Sequence, residues 1–405
     1  MKYTLHTLGN GVPVHVVQGT SQIARVHFLF GTGSFDEDKT SWGISHAIEH
    51  LMFSANKYGQ QAFADLFSEC GAGQNAWTAT TQTEFHFHCH PEDIQDLTNA
   101  FLEVFKTFKV TPELLEKEKV VILQELRDRK EDNWSQAHEA FYSQLYRTHP
   151  MHVPVIGFED TIKGLTPEQL QSWYESHFST NNLTIFIMGP AEEYSENFWA
   201  MLEAFELNKE ATISHPEISD AQRSPVYSHA RQTFPDWQQN ILIYSWNVSR
   251  TSPAPFYIAE HLCGSMSSVL WQELREKDSI AYTLAADVGS FDDSTAQLWV
   301  CTSFSDNDKL EKQLNIIKEA QADLVNITED RFNSLKRRLA VSIGLAKESS
   351  RALILRMMDA LDAGRPVDPG FLDSFLLDLT YEEFMEFCKD FQANSPIYFH
   401  CTTEA

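Results

Sequence analysis

The sequence predicts an α+β protein of two homologous domains, each a mostly antiparallel sheet packed with helices. Three observations lead there. Short alternating strand patterns give way to long segments of helical periodicity. The 405 residues exceed one ordinary core, and a prior of about 100–200 residues per domain suggests two. Finally, short motifs recur in the same order at offsets between 205 and 217 residues.

The N-terminal segment alternates as a strand, turns at Gly9-Asn10-Gly11 and alternates again through Val12 to Val17, which reads as a hairpin. A third strand runs from Arg25 to Phe30. Helices follow around 42–54 and 60–70, strands near 75–90, and helical segments around 92–108 and 112–146. A helix near 167–178 leads into the apolar strand Leu183 to Met188. The second half repeats the plan. Ala47-Ile48-Glu49-His50-Leu51 has a counterpart in Ile258-Ala259-Glu260-His261-Leu262, and Ala76-Trp77-Thr78 has one in Ala281-Tyr282-Thr283. Val110-Thr111-Pro112-Glu113 parallels Ile327-Thr328-Glu329-Asp330, and Leu165-Thr166-Pro167-Glu168 parallels Leu379-Thr380-Tyr381-Glu382. Chance rarely supplies four matches in one order. The polar stretch 207–225 reads as a linker between an N-terminal domain, 1–206, and a C-terminal domain, 226–405.

Composition excludes several function classes. A net charge of −26 opposes nucleic-acid binding, because a phosphate backbone would be repelled over most of the surface. Cys70, Cys89, Cys263, Cys301, Cys388 and Cys401 form no Cys-x-x-Cys pair, so neither a disulfide framework nor a thiolate metal site is indicated. No apolar run reaches the roughly 18 residues of a membrane span, and the N-terminus lacks a signal-type core. A soluble, cytoplasmic protein is expected.

His46-Ala47-Ile48-Glu49-His50 lies in a helix that is apolar nearly all round, so the helix should be buried. Burying two imidazoles and a carboxylate without partners costs on the order of 1–3 kcal/mol per group, more if charged. A metal ion removes that cost. His46 and His50, four apart, project from one face and can chelate one ion, with Glu49 leaning to the same side. The pattern is the reversed form of the His-Glu-x-x-His zinc motif. Catalytic zinc takes three protein ligands, so one is missing. Downstream of Pro112, Leu114, Glu118, Val121, Ile122 and Glu125 form a stripe expected to face the core, with two carboxylates two turns apart. One of Glu118 and Glu125 can bind the metal while the other orients a ligating histidine.

On these residues the sequence resembles the inverzincin, or pitrilysin-like, zinc metallopeptidases over nearly its whole length. The resemblance makes Glu125, 75 residues after His50, the third ligand of one zinc ion held with His46 and His50, and Glu118 its support. It makes Glu49 the catalytic base. Gly71 to Thr78 looks like the family's strand that pairs with substrate, implying substrate contacts by Asn75, Ala76 and Trp77. Arg275 and Tyr282, seven apart, match the pair that holds substrate near the scissile bond. Two departures touch that region: Ser279 and Val269 stand where a glycine and an arginine are usual. Tyr257 replaces the first motif histidine in the second half, so no second zinc site is expected and the chain should carry one zinc ion.

The resemblance implies a zinc endopeptidase cleaving peptides or small unfolded proteins inside an enclosed chamber. With two domains, a homodimer is expected, Arg275 and Tyr282 of one subunit facing the zinc of the other. The alternatives are an active subunit of a heterodimer in peptide-precursor processing and a non-catalytic scaffold. The intact His46, Glu49, His50 and Glu125 set argues against the last, since a scaffold needs none of them.

Overall fold

The computed structural model describes residues 1–19, 21–190, 194–209, 211, 215–292 and 294–403. Residues 210 and 212–214 of the expected linker lie outside the described residues. Contacts divide the chain into two compact units, 1–131 with 153–217 and 132–152 with 218–405.

In the first unit the strands are β1 (Lys2–Thr7), β2 (Pro13–Gln18), β3 (Ala24–Phe30), β4 (Gly73–Thr78), β5 (Thr83–Cys89) and β6 (Leu183–Gly189). They form one sheet in the order β1-β2-β6-β3-β5-β4, antiparallel except for the β2–β6 pair. The second unit holds β7 (His229–Thr233), β8 (Asn240–Ser249), β9 (Thr283–Ser290), β10 (Thr295–Phe304) and β11 (Ile397–Thr402), in the order β7-β11-β8-β10-β9. Only β7–β11 is parallel. Apart from β1, the two sheets share one order: each last strand returns between the first strand and the rest. The repeat seen in the motifs is thus a repeat of topology, and the expected α+β architecture with mostly antiparallel sheets is present in both halves.

Strand alternation sets the first core. Val26, Phe28 and Phe30 of β3 and Phe85 and Phe87 of β5 point to one side and are fully buried. Helices α1 (Ile44–Met52), α2 (Gly59–Glu69), α3 (Ile94–Lys106) and α4 (Pro112–Arg129) supply other residues of that core. Phe105 of α3 meets Phe28 edge-on at 5.3 Å and 78°, Phe67 of α2 meets Phe87 at 5.7 Å and 69°, and between the helices Phe63 and Phe67 meet Phe101 edge-on. Aromatic pairs prefer that geometry because the ring edge is positive and the face negative.

The single helical segment expected over 112–146 is two helices. α4 ends at Arg129, and Asp132 starts α5 (Asn133–Leu145) by accepting the amide of Ser135 at 2.9 Å. An aspartate N-cap satisfies an otherwise orphaned donor, so the chain gains by breaking there. Ala137, Phe141 and Leu145 of α5 join a core with Trp237, Ile241 and Phe399, which is why 132–152 groups with the second unit although the sequence-based division left it in the first.

The expected core stripe on α4 also needs correction. Leu115, Glu118, Ile122 and Leu126 are buried, whereas Val121 is 47% exposed and Leu114 only partly covered. The buried face lies about one residue round the helix from the predicted stripe, keeping Glu118 inward and leaving Glu125 at its rim. Among the described residues, no helix is long and apolar enough to cross a membrane.

Candidate metal centre

Helix α1 is fixed at its start by Glu37. Gly43, the residue before α1, has a left-handed φ of 91° and no side-chain cap; instead Glu37 Oε2 accepts the Gly43 amide at 2.7 Å and Oε1 accepts the Ser45 amide at 2.9 Å. Two donors at a helix N-terminus, where the dipole favours negative charge, are thus satisfied by one carboxylate. Burial nonetheless pushes the Glu37 carboxyl up to about 8 against those hydrogen bonds. Sequence reading missed Glu37, because an acid nine residues before His46 carries no motif.

From α1, His46 and His50 project together, their rings 4.7 Å apart. Helix α4 brings Glu125 Oε2 to 3.4 Å from His50 Nε2 and 3.7 Å from His46 Nε2, while Glu118 Oε2 lies 3.7 Å from His50 Nδ1. One ligand atom from each of His46, His50 and Glu125 falls within 4.8 Å of the others. So the structure brings together the three residues expected to hold the metal and sets Glu118 behind His50, where supporting residues orient a ligand.

These donors fit zinc. Ligand atoms about 2.0–2.1 Å from a four-coordinate zinc stand about 3.3–3.4 Å from one another, close to the 3.4 and 3.7 Å seen here. His46 Nδ1 is buried with no hydrogen-bond partner among the described residues, so hydrogen bonding among them does not account for an imidazole at this place. Burial, and then the neighbouring His50, push His46 down to about 4, the neutral form that a metal needs. For His50, burial is the largest single influence and acts downward, yet Glu118 and Glu125 together hold it up at about 9. His50, in turn, holds Glu125 below the usual carboxylate range. The pocket favours positive charge.

Glu49 is buried on the same helix, and Thr78 Oγ1 at the end of β4 donates to its Oε2 at 2.7 Å. Burial raises its carboxyl above the ordinary range, opposed by that hydrogen bond. Thr78 is a second residue whose role the sequence did not announce. β4 is an edge strand with Asn75 exposed, Ala76 buried and Trp77 partly buried, and Asn75 Oδ1 accepts the Ala76 amide at 2.9 Å. An edge strand offers unpaired main-chain groups to an extended peptide.

Arg275 and Tyr282 belong to the second unit. Arg275 Nη1 donates to the Tyr282 carbonyl at 3.2 Å and its guanidinium lies 4.5 Å from the Trp271 ring, while the Tyr282 side chain is 70% exposed. Between them Ser279 has a φ of 49°. A left-handed residue is unstrained as glycine, so the serine that departs from the family pattern carries a conformational cost.

The second unit's counterpart of the metal helix is α10 (Ala254–Cys263), reached after the short α6 (Glu159–Gly164), α7 (Pro167–His177), α8 (Glu196–Glu203) and α9 (Asp220–Arg223). After α11 (Leu310–Asp323), α12 (Glu329–Glu348) packs on α10 as α4 does on α1. The chemistry is inverted. Arg338 Nη1 meets Glu260 Oε1 at 3.0 Å, Arg331 Nε donates to His261 Nδ1 at 3.3 Å, and Tyr257 donates to the Leu376 carbonyl at 2.7 Å. Where the first unit gathers carboxylates around histidines, the second supplies its own guanidinium cations.

Two repeated sheet domains, the first with a His-x-x-Glu-His helix against an acidic helix, define a metallopeptidase class. The chain belongs to peptidase family M16, the insulinase or pitrilysin-like family: residues 14–158 match the family model described as insulinase (peptidase family M16), and residues 164–339 the one described as peptidase M16 inactive domain. A Rickettsia felis protein named uncharacterized zinc protease is 25% identical over 314 residues, spanning 75% of this chain and 73% of its own. A Bacillus subtilis protein, uncharacterized zinc protease YmxG, is 22% identical over 361 residues, 87% of this chain and 86% of its own. The fold matches the crystal structure of a protease from Helicobacter pylori with a TM-score of 0.87 at 19% identity, covering 99% of both chains. It also matches the periplasmic protease PqqL from Escherichia coli, with a TM-score of 0.78 at 17% identity, over 100% of this chain but 48% of that one.

Proposed function

We propose that this protein is a zinc-dependent endopeptidase acting on peptides or small unfolded proteins. The observation that carries the reading is the convergence of His46, His50 and Glu125 beside a buried Glu49. Zinc, when bound by those three side chains, supplies Lewis acidity that lowers the pKa of water toward about 7 and polarises the scissile carbonyl.

The chain's own residues do the rest. Glu49 takes a proton from the attacking water and returns it to the leaving amine; burial, which raises its carboxyl above the ordinary carboxylate range, suits a group that must both accept and donate a proton. Thr78 fixes one Glu49 oxygen and leaves the other for the reaction. The free edge of β4 binds the peptide by strand addition, which gives main-chain affinity with little sequence demand. Arg275 and Tyr282 of a second copy hold the substrate carbonyl, so the working form is a homodimer with shared sites.

The test is cleavage of a mixed peptide library by wild type and Glu49→Gln, with zinc content measured for both. Loss of a general base typically costs about 10²–10⁴-fold in rate, and zinc at the His46 site should be unchanged. A Glu49→Gln protein that cleaves as fast as wild type, or a zinc-loaded wild type that cleaves nothing, overturns the reading.

A further inference from the structure

The first unit's sheet carries another set of metal-type donors, away from α1 and α4. His27 of β3 and His86 of β5 are direct partners across the ladder, and Glu84 precedes His86 by two residues, so all three side chains leave the same face of the sheet. It is the face opposite the phenylalanine core, since Phe28, Phe85 and Phe87 alternate with them. His27 and Glu84 are buried, and the His86 side chain is 13% exposed. His27 Nδ1 contacts Glu84 Oε1, and His86 Nδ1 lies 3.4 Å from that same oxygen. The two imidazoles stack at 4.9 Å with 14° between their planes. One ligand atom from each residue falls within 4.8 Å of the others.

We propose that His27, Glu84 and His86 form a second cation site, structural in role, for a divalent ion of the zinc class. Two imidazole nitrogens and one carboxylate oxygen suit zinc or a neighbouring transition ion; calcium and magnesium take oxygen donors. Ligands at i and i+2 of one strand with a third across the ladder are held by sheet hydrogen bonds, so the donors converge without a loop having to order. His86 Nδ1 stands 3.4 Å from Glu84 Oε1, the separation of two ligands on one zinc, about 3.3–3.4 Å, whereas His27 Nδ1, in direct contact with that oxygen, has to draw back from it to share the ion. Burial leaves little access for substrate, which separates this site from an open catalytic one. Its place in the sheet gives it a purpose. His86 is the direct partner of Asn75 in β4, so an ion tying β3 to β5 stiffens the ladder directly behind the edge strand.

The experiment counts zinc in the full-length chain by mass spectrometry after zinc loading and dialysis, in wild type, His46→Ala/Glu125→Gln, His86→Gln and the triple variant. The His46→Ala/Glu125→Gln protein leaves this sheet face untouched, so its metal content does not depend on whether a buried histidine can be replaced without unfolding. Expected contents are two, one, one and zero. Added zinc should raise the melting temperature of His46→Ala/Glu125→Gln and not that of the triple variant. One zinc in wild type and none in His46→Ala/Glu125→Gln would overturn the proposal, reducing the triad to a buried imidazole–carboxylate cluster while the catalytic reading stands. One zinc retained by His46→Ala/Glu125→Gln and lost from His86→Gln would support the triad and remove the metal from the proposed catalytic centre. No zinc in any loaded protein overturns both.

Discussion

Replacing Glu37 with alanine tests whether the helix that carries His46 and His50 is positioned by one remote carboxylate. The side chain accepts two amides, from Gly43 at 2.7 Å and Ser45 at 2.9 Å, at the start of a helix with no cap of its own. A buried donor left without its acceptor costs about 1–3 kcal/mol, so two such donors give about 2–6 kcal/mol for Glu37→Ala. Glutamine keeps one acceptor oxygen and turns an amide toward the other donor, so Glu37→Gln should lose about half as much. The helix start carries His46 three residues on, and fraying there should weaken zinc binding along with stability. Urea unfolding gives the first quantity and competition with a metal chelator the second. A Glu37→Ala protein within about 1 kcal/mol of wild type, with unchanged zinc affinity, would refute this role of the carboxylate.

Other consequences are equally open to measurement. Gly43→Ala places a Cβ 2.6 Å from the Ile156 carbonyl and 2.6 Å from Ile162 Cδ1 at a φ of 91°, so strain and overpacking should together cost about 2–5 kcal/mol; an alanine variant as stable as wild type counts against the close approach. In the second unit, Asp292 is buried, and although burial is the largest influence on it and acts upward, His149, the Ser294 and Thr295 amides and Arg223 hold its carboxyl well below the usual range. The depressed pKa means that its contribution is complete above the unfolded value of about 4 and fades as pH falls through the folded value. Asp292→Asn should therefore cost about 2–4 kcal/mol at pH 7, with the gap to wild type closing in acid, and a gap constant with pH would contradict the ion pairing. If catalytic sites are shared between copies, mixing inactive Glu49→Gln with impaired Tyr282→Phe chains should recover part of the lost activity, and no recovery speaks against sharing.

The convergence of His46, His50 and Glu125 was legible because it is written in spacing. Histidines four apart in an apolar helix, and carboxylates seven apart on another, place themselves once helical geometry is assumed. The doubled topology was legible for a similar reason, since motifs kept their order. What escaped was information held in three dimensions. Nothing local distinguishes Asp132 as a cap from any acid on a long helix, and its effect is to hand α5 to another core. Val121 looked like a core residue by periodicity, but a helix face is chosen by what it packs against, and α4 buries Leu115 and Leu126 beside the expected Glu118 and Ile122 while leaving Val121 out. Thr78 acts on the site through one hydrogen bond and Glu37 through two, neither marked by a motif, and His27 meets His86 only because β3 pairs with β5.

The arginines that meet Glu260 and His261 in the second unit make the two halves answer differently to their surroundings. A guanidinium is covalently attached and stays charged at any physiological pH, so that half's ion pairs are the same in zinc-rich and zinc-starved solution. If the first unit binds an ion through His46, His50 and Glu125, it is stabilised by RT ln(1 + [L]/Kd) and so follows the ambient metal concentration. A chelator would then loosen one half of a nearly symmetric fold and spare the other. If zinc binds His46, His50 and Glu125 as proposed, metal scarcity would be felt in the first unit.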